Sequence, residues 1–121
     1  MNVFDASAIL AYLGGEEGAD QVRAQLELGG RCSAANWSEI AQKIRARGAD
    51  WDLARQLLLS YDLDIEPVDA ADAEAAAGMW RRGEGLSLAD RLCLALGARL
   101  GATVWTSDAQ WGARPGVRLV R

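Results

Sequence analysis

Short β-prone runs alternate with helix-period apolar stripes along the whole chain, and glycines or small polar residues mark most of the changeovers. This alternation constrains the fold more than any other feature. Strands separated by helices build a parallel sheet with helices packed on its faces, so the class expected is α/β. The strands expected are Asn2–Phe4, Arg31–Ala35, Asp64–Val68, Ala102–Trp105 and Val117–Val120. The intervening helices expected are Ala8–Leu13, Glu16–Leu28, one starting after Asn36 and closed by Gly48, Asp50–Tyr61 and Asp69–Arg82. The cleanest stripe is the last, with Ala89, Leu92, Cys93, Leu96 and Leu100 at helical spacing. A length of 121 residues fits one domain, taken as residues 1–121, and half the residues are apolar, enough for a core.

Composition removes several kinds of chemistry. The chain has no histidine, which excludes a Ser-His-Asp triad, a Cys-His pair and a histidine-based acid–base ribonuclease mechanism. Lys43 is its one lysine, and no glycine-rich phosphate loop surrounds it. The two cysteines, Cys32 and Cys93, form no CxxC pair and read as small core residues. No apolar run reaches the ~20 residues that cross a membrane. The opening Met1-Asn2-Val3-Phe4-Asp5 lacks the basic and long apolar regions of a signal peptide, so a soluble, cytoplasmic protein is expected.

Four acids stand at the ends of apolar runs: Asp5 after Met1–Phe4, Glu39 in Asn36-Trp37-Ser38-Glu39, Asp90 in Ser87-Leu88-Ala89-Asp90, and Asp108 in Thr106-Ser107-Asp108. Each lies where a strand gives way to a helix or turn, or in a helix's first turn. In a parallel sheet those places share one edge, the edge that binds ligands. Four carboxylates gathered there repel one another, and a divalent cation bound by oxygen ligands, Mg²⁺ or Mn²⁺, removes the conflict. Singly, each acid also has a purely structural reading. Glu39 and Asp90 sit three residues after Asn36 and Ser87, as in a capping box. Glu39 also precedes Lys43 by four residues, as in a helix-surface ion pair. Asp5 is suited to capping the helix that follows it, and Asp108 reads as an ordinary turn acid before Trp111. Ser7 and Thr106 are candidate supporting hydroxyls or ordinary caps, and Asn36 reads as a helix cap before a site residue.

Net charge is −4, which counts against a nucleic-acid binder. Setting aside the four candidate ligands leaves 13 acids against 13 bases, and 12 of those bases are arginine, the residue suited to bidentate phosphate contacts. Arg91 beside Asp90 and Lys43 one turn from Glu39 are candidate phosphate contacts, or solvated surface charges.

These motifs together resemble the PIN-domain ribonucleases, and among them the toxins of VapBC-type toxin–antitoxin systems. Val3-Phe4-Asp5-Ala6-Ser7-Ala8-Ile9-Leu10-Ala11 is similar to the family's first strand and first acid. Asn36-Trp37-Ser38-Glu39-Ile40, Leu86–Leu96 and Val104–Trp111 resemble its second, third and fourth motifs, in order and at family-like spacing. The resemblance implies a three-layer α/β/α domain with a central parallel sheet. It implies one acidic pocket of Asp5, Glu39, Asp90 and Asp108 holding Mg²⁺ or Mn²⁺, with Ser7 and Thr106 in support. It further implies an RNA substrate, a homodimer, and a cognate antitoxin that blocks the pocket.

The reaction expected is hydrolysis of RNA phosphodiesters by metal-activated water, which explains how a histidine-free protein performs it. Two other readings stay open. One is a metal-dependent phosphatase or DNA nuclease using the same acids, although Asp5-Ala6-Ser7 lacks the DxD pair of haloacid-type phosphatases. The other is a non-catalytic interaction module in which the acids cap helices and the five tryptophans serve an interface.

Overall fold

Val3 and Phe4 are adjacent in the first strand, face opposite sides of the sheet, and are both fully buried. A strand covered on both faces belongs in the middle of a parallel sheet. In the computed structural model, which describes residues 1–121, β1 (Asn2–Phe4) occupies that central place. It pairs with β2 (Gly30–Ser33) on one side and β4 (Thr103–Thr106) on the other. β3 (Leu63–Glu66) and β5 (Val117–Leu119) form the two edges, giving the order β3-β2-β1-β4-β5 with every pairing parallel.

The order explains the layers. The chain steps outward from β1 to β2 to β3, then returns across the sheet to β4. Right-handed crossovers place the helices of the outward steps on one face and those of the return on the other. The first set is α1 (Ala6–Leu13), α2 (Ala19–Glu27), α3 (Ala34–Ala46) and α4 (Trp51–Leu59); the second is α5 (Ala70–Gly78) and α6 (Leu88–Leu100). The cores divide the same way. Phe4 and Trp105 pack with Ile9, Leu26, Ile40 and Leu58, whereas Val3 and Val104 pack with Cys93, Leu96 and Trp111. Gly97 allows α6 to lie against β4: a Cβ there would come within 2.4 Å of Val104 Cγ2. This is the expected three-layer architecture, and Cys32 and Cys93 are buried core thiols.

Several boundaries differ from expectation by a few residues. α3 begins at Ala34, because Ser33 Oγ accepts from Ala35 N at 3.2 Å; Asn36 is therefore inside the helix and does not cap it. β3 ends at Glu66, before Pro67, which has no N–H to continue a ladder. α2 starts only at Ala19, after Gly18 takes the left-handed conformation at φ 88°. α5 stops at Gly78, and Met79–Ser87 form the connection to α6. No helix is long and apolar enough to cross a membrane.

Candidate active site

The strand order reverses between β1 and β4, and in open α/β sheets ligands bind outside the carboxyl ends of the strands at such a reversal. Asp5 follows β1 directly and Thr106 ends β4, so the crevice is framed by these two residues.

Asp5 is 3% exposed and its carboxylate is saturated with donors. Oδ1 accepts from Ala8 N at 2.8 Å, capping α1, and from Ser7 Oγ at 2.8 Å. Oδ2 accepts from Thr106 Oγ1 at 2.6 Å. Ser7 Oγ lies 3.1 Å from Thr106 Oγ1 and accepts from Ser107 N at 2.9 Å. Thr106 Oγ1 in turn accepts from Asp108 N at 3.1 Å. This cluster bolts the end of β1 to the end of β4. Burial pushes the Asp5 carboxyl up from 3.8 to about 6, and the nearby charge of Asp90 adds to the rise; the bonds from Thr106, Ala8 and Ser7 oppose it.

Asp90 is half-buried in the first turn of α6 and completes a capping box with Ser87. Ser87 N donates to Asp90 Oδ2 at 2.9 Å, and Asp90 N donates to Ser87 Oγ at 3.1 Å. The structural reading of this acid is therefore correct as far as it goes, but its charge also bears on Asp5. Glu39 sits in the second turn of α3, not the first, because the helix starts at Ala34. It forms neither the capping box nor the ion pair with Lys43 that its spacing allowed. Instead Asn36 Nδ2 donates to Glu39 Oε1 at 2.9 Å. Asn36 is itself 1% exposed, and its Oδ1 is buried without a hydrogen-bond partner.

Two buried thiols feel the charges of these acids. Burial raises the Cys93 thiol, and the charges of Asp5, Asp90 and Glu39 raise it further. Burial likewise raises Cys32, with Asp5 and Glu39 adding. The charges of Asp5, Glu39 and Asp90 thus all bear on Cys93, and those of Asp5 and Glu39 on Cys32 as well. Asp108 is engaged locally: its Oδ1 caps the short 3₁₀ turn Ala109–Trp111 by accepting from Gln110 N at 2.9 Å. A cavity of about 360 Å³ opens beside Thr106 and Asp108, walled by Ala109, Ala113, Val117 and Leu119. As the side chains stand, no three acidic or thiol groups converge closely enough to hold a metal ion.

Arg91 is engaged by α5. Its Nη1 donates to the Ala76 carbonyl at 2.9 Å, clasping the last turn of α5 to the first turn of α6. Lys43 is exposed on α3. The role of Asn36 against Glu39 was hidden by its resemblance to a cap; their three-residue spacing on one helix face was its sequence signal.

Known proteins share both the sequence and the architecture. A PIN-domain family model matches residues 3–116. The VapC ribonuclease Mb2780c of Mycobacterium bovis is 36% identical over 105 residues, covering 78% of this chain and 80% of that protein. Ribonuclease VapC42 of Mycobacterium tuberculosis matches with the same identity and coverage. Among solved structures, Mycobacterium tuberculosis VapC20, a sarcin–ricin loop cleaving toxin, superposes with a TM-score of 0.79 at 21% identity, over 100% of both chains. A toxin–antitoxin complex from Klebsiella pneumoniae gives a TM-score of 0.76 at 19% identity, over 98% of this chain and 96% of that one. The sequence matches carry the assignment and the superpositions agree in fold: this chain belongs to the PIN-domain family.

Proposed function

We propose that this protein is a metal-dependent endoribonuclease, the toxin of a type II toxin–antitoxin pair, and that Asp5, Glu39, Asp90 and Asp108 form its catalytic centre. The observation that carries this reading is the buried Asp5 carboxylate at the β1–β4 reversal. At neutral pH it is ionised, desolvated and close to the charge of Asp90, an arrangement that costs stability unless a cation joins it. The donors around it are carboxylate and hydroxyl oxygens, which suit Mg²⁺ or Mn²⁺ and not a soft metal. The four acids would hold the cation, with Asp108 released from its cap. When bound, the cation supplies a more acidic water and neutralises charge on the phosphate.

The chain's own residues do the rest. Ser7 and Thr106 hold the Asp5 carboxylate in one orientation, and Asn36 holds Glu39. The Ser87 capping box holds Asp90 at the start of α6. The cavity beside Thr106 and Asp108 gives a nucleotide of the RNA room next to Asp108. The names of the curated relatives support RNA as the substrate, and the Klebsiella pneumoniae toxin–antitoxin complex supports an antitoxin as the partner. A homodimer in the cytoplasm completes the reading.

The test is cleavage of total RNA by protein freed of co-purifying antitoxin, with Mn²⁺ or Mg²⁺, with EDTA, and with Asp5→Asn. Discrete fragments that vanish with EDTA and with the variant are expected. Absence of cleavage by folded, metal-supplied protein across transfer, ribosomal and messenger RNA would reject the reading and favour the interaction module.

A further inference from the structure

An acidic crevice repels the phosphates it is meant to cut, so the substrate needs a cationic or stacking hold nearby. Arg91, beside Asp90 in sequence, is occupied by the Ala76 carbonyl. On the α6 side of the crevice the remaining groups lie in the connection from α5 to α6, Met79–Ser87.

That connection carries Trp80-Arg81-Arg82. Trp37, Trp51, Trp105 and Trp111 are all buried or half-buried, whereas Trp80 is 52% exposed. A single exposed apolar side chain means little by itself. Here the guanidinium of Arg82 lies over the indole, 5.7 Å from the ring centroid. The neighbouring arginine is spent locally: Arg81 Nη1 donates to the Gly78 and Trp80 carbonyls at the end of α5. Arg82 has no carboxylate partner, since Glu84 in the same connection pairs with Arg114 at 3.4 Å. Arg114 Nε also donates to the Trp111 carbonyl at 2.9 Å, so the connection is tied to the turn that follows Asp108. Its other end is tied to Asp90 through Ser87. The exposed indole and its unpaired arginine are thus held between the segments that carry two of the four acids.

We infer that Trp80 and Arg82 form a substrate-gripping element for single-stranded RNA, Trp80 stacking an unpaired base a few nucleotides from the cut and Arg82 contacting the adjoining phosphate. This rests on the ribonuclease reading above. A π-face stacks on any base, so the element contributes affinity with little sequence choice.

The test is the affinity of a fluorescein-labelled, mixed-sequence single-stranded 12-mer RNA, measured by anisotropy over a salt series. The protein carries Asp5→Asn to prevent cleavage, alone and with Trp80→Ala, Trp80→Phe or Arg82→Ala. Melting temperatures are recorded alongside. Trp80→Ala is expected to weaken binding roughly tenfold, and Trp80→Phe to recover most of the loss. Arg82→Ala is expected to lower the salt slope by about 0.7. In the cleaving protein, Trp80→Ala lowers the cleavage rate at sub-saturating RNA by the same factor. Binding and cleavage both within twofold for Trp80→Ala overturn the inference while cleavage by the parent protein leaves the ribonuclease reading intact. Unchanged RNA binding with a loosened antitoxin complex would assign Trp80 to a protein interface and also overturn it. No RNA binding and no cleavage by the parent would overturn both.

Discussion

The buried Asp5 carboxyl is expected to cost the metal-free protein stability at neutral pH that it does not cost in acid, and Asp5→Asn to remove that penalty. The carboxyl is raised from 3.8 to about 6 by burial. A raised acid holds its proton in the folded state at pH values where the unfolded chain has already lost it. Between those two values the native state binds more protons, so stability falls as pH rises from about 4 to 6 and is level above that. A rise of that size corresponds to roughly 3 kcal/mol. In Asp5→Asn the amide oxygen can still accept from Ala8 N and Ser7, and the Thr106 hydroxyl can turn to accept from the new amide. Reorganising that network costs about 1 kcal/mol, leaving a gain of roughly 2 kcal/mol at pH 7.5. The assay is urea unfolding in EDTA of both proteins from pH 4 to 8, taking the difference at each pH so that other groups cancel. The gap should open as pH rises between 4 and 6.5 and then stay constant. Added Mn²⁺ should then stabilise the parent and leave the variant unchanged. A gap independent of pH, or a variant no more stable at pH 7.5, would refute the burial argument.

Three other substitutions probe separate parts of the account. Thr106→Val removes the donor that most opposes the rise of Asp5, so the acid limb of the cleavage pH profile should move up by roughly one pH unit. Asp72→Ala should destabilise the fold by about 1–3 kcal/mol in urea without changing the pH profile of cleavage. Its carboxylate is 5% exposed and accepts from Arg99 Nε at 3.0 Å and Nη2 at 3.3 Å, joining α5 to α6 away from the crevice. Gly97→Ala should cost about 1–3 kcal/mol through overpacking against Val104, and adding Val104→Ala should relieve much of the clash.

The parts of the fold legible in the sequence are those set by local pattern. The apolar run into Asp5, the stripe of α6 and its Ser87–Asp90 capping box all depend on residues within one or two turns of each other. The alternation of strands and helices implies the parallel class for the same reason. The start of α3 is not legible, because Ser33 and Asn36 are both good caps. The choice falls to Ser33 once burial commits Asn36 to Glu39. The direction of Arg91 is hidden too, because it depends on α5, fifteen residues earlier in the chain, lying alongside α6. Strand order likewise depends on long-range packing: nothing near residue 103 announces that β4 returns to the side of β1. Pro67 is a different case, a local stop for β3 that the sequence carries and that the expected strand Asp64–Val68 runs through.

The central claim is that the acids at the crevice do chemistry as well as capping, and Asp90→Asn tests it most directly. Asparagine keeps an oxygen that can accept from Ser87 N, so the capping box at the head of α6 survives. The measurement is the single-turnover rate of RNA cleavage with Mn²⁺, together with the melting temperature. The account predicts a variant that melts within a few degrees of the parent and cleaves at least about 100-fold more slowly. A folded Asp90→Asn protein that cleaves within a few-fold of the parent would contradict it.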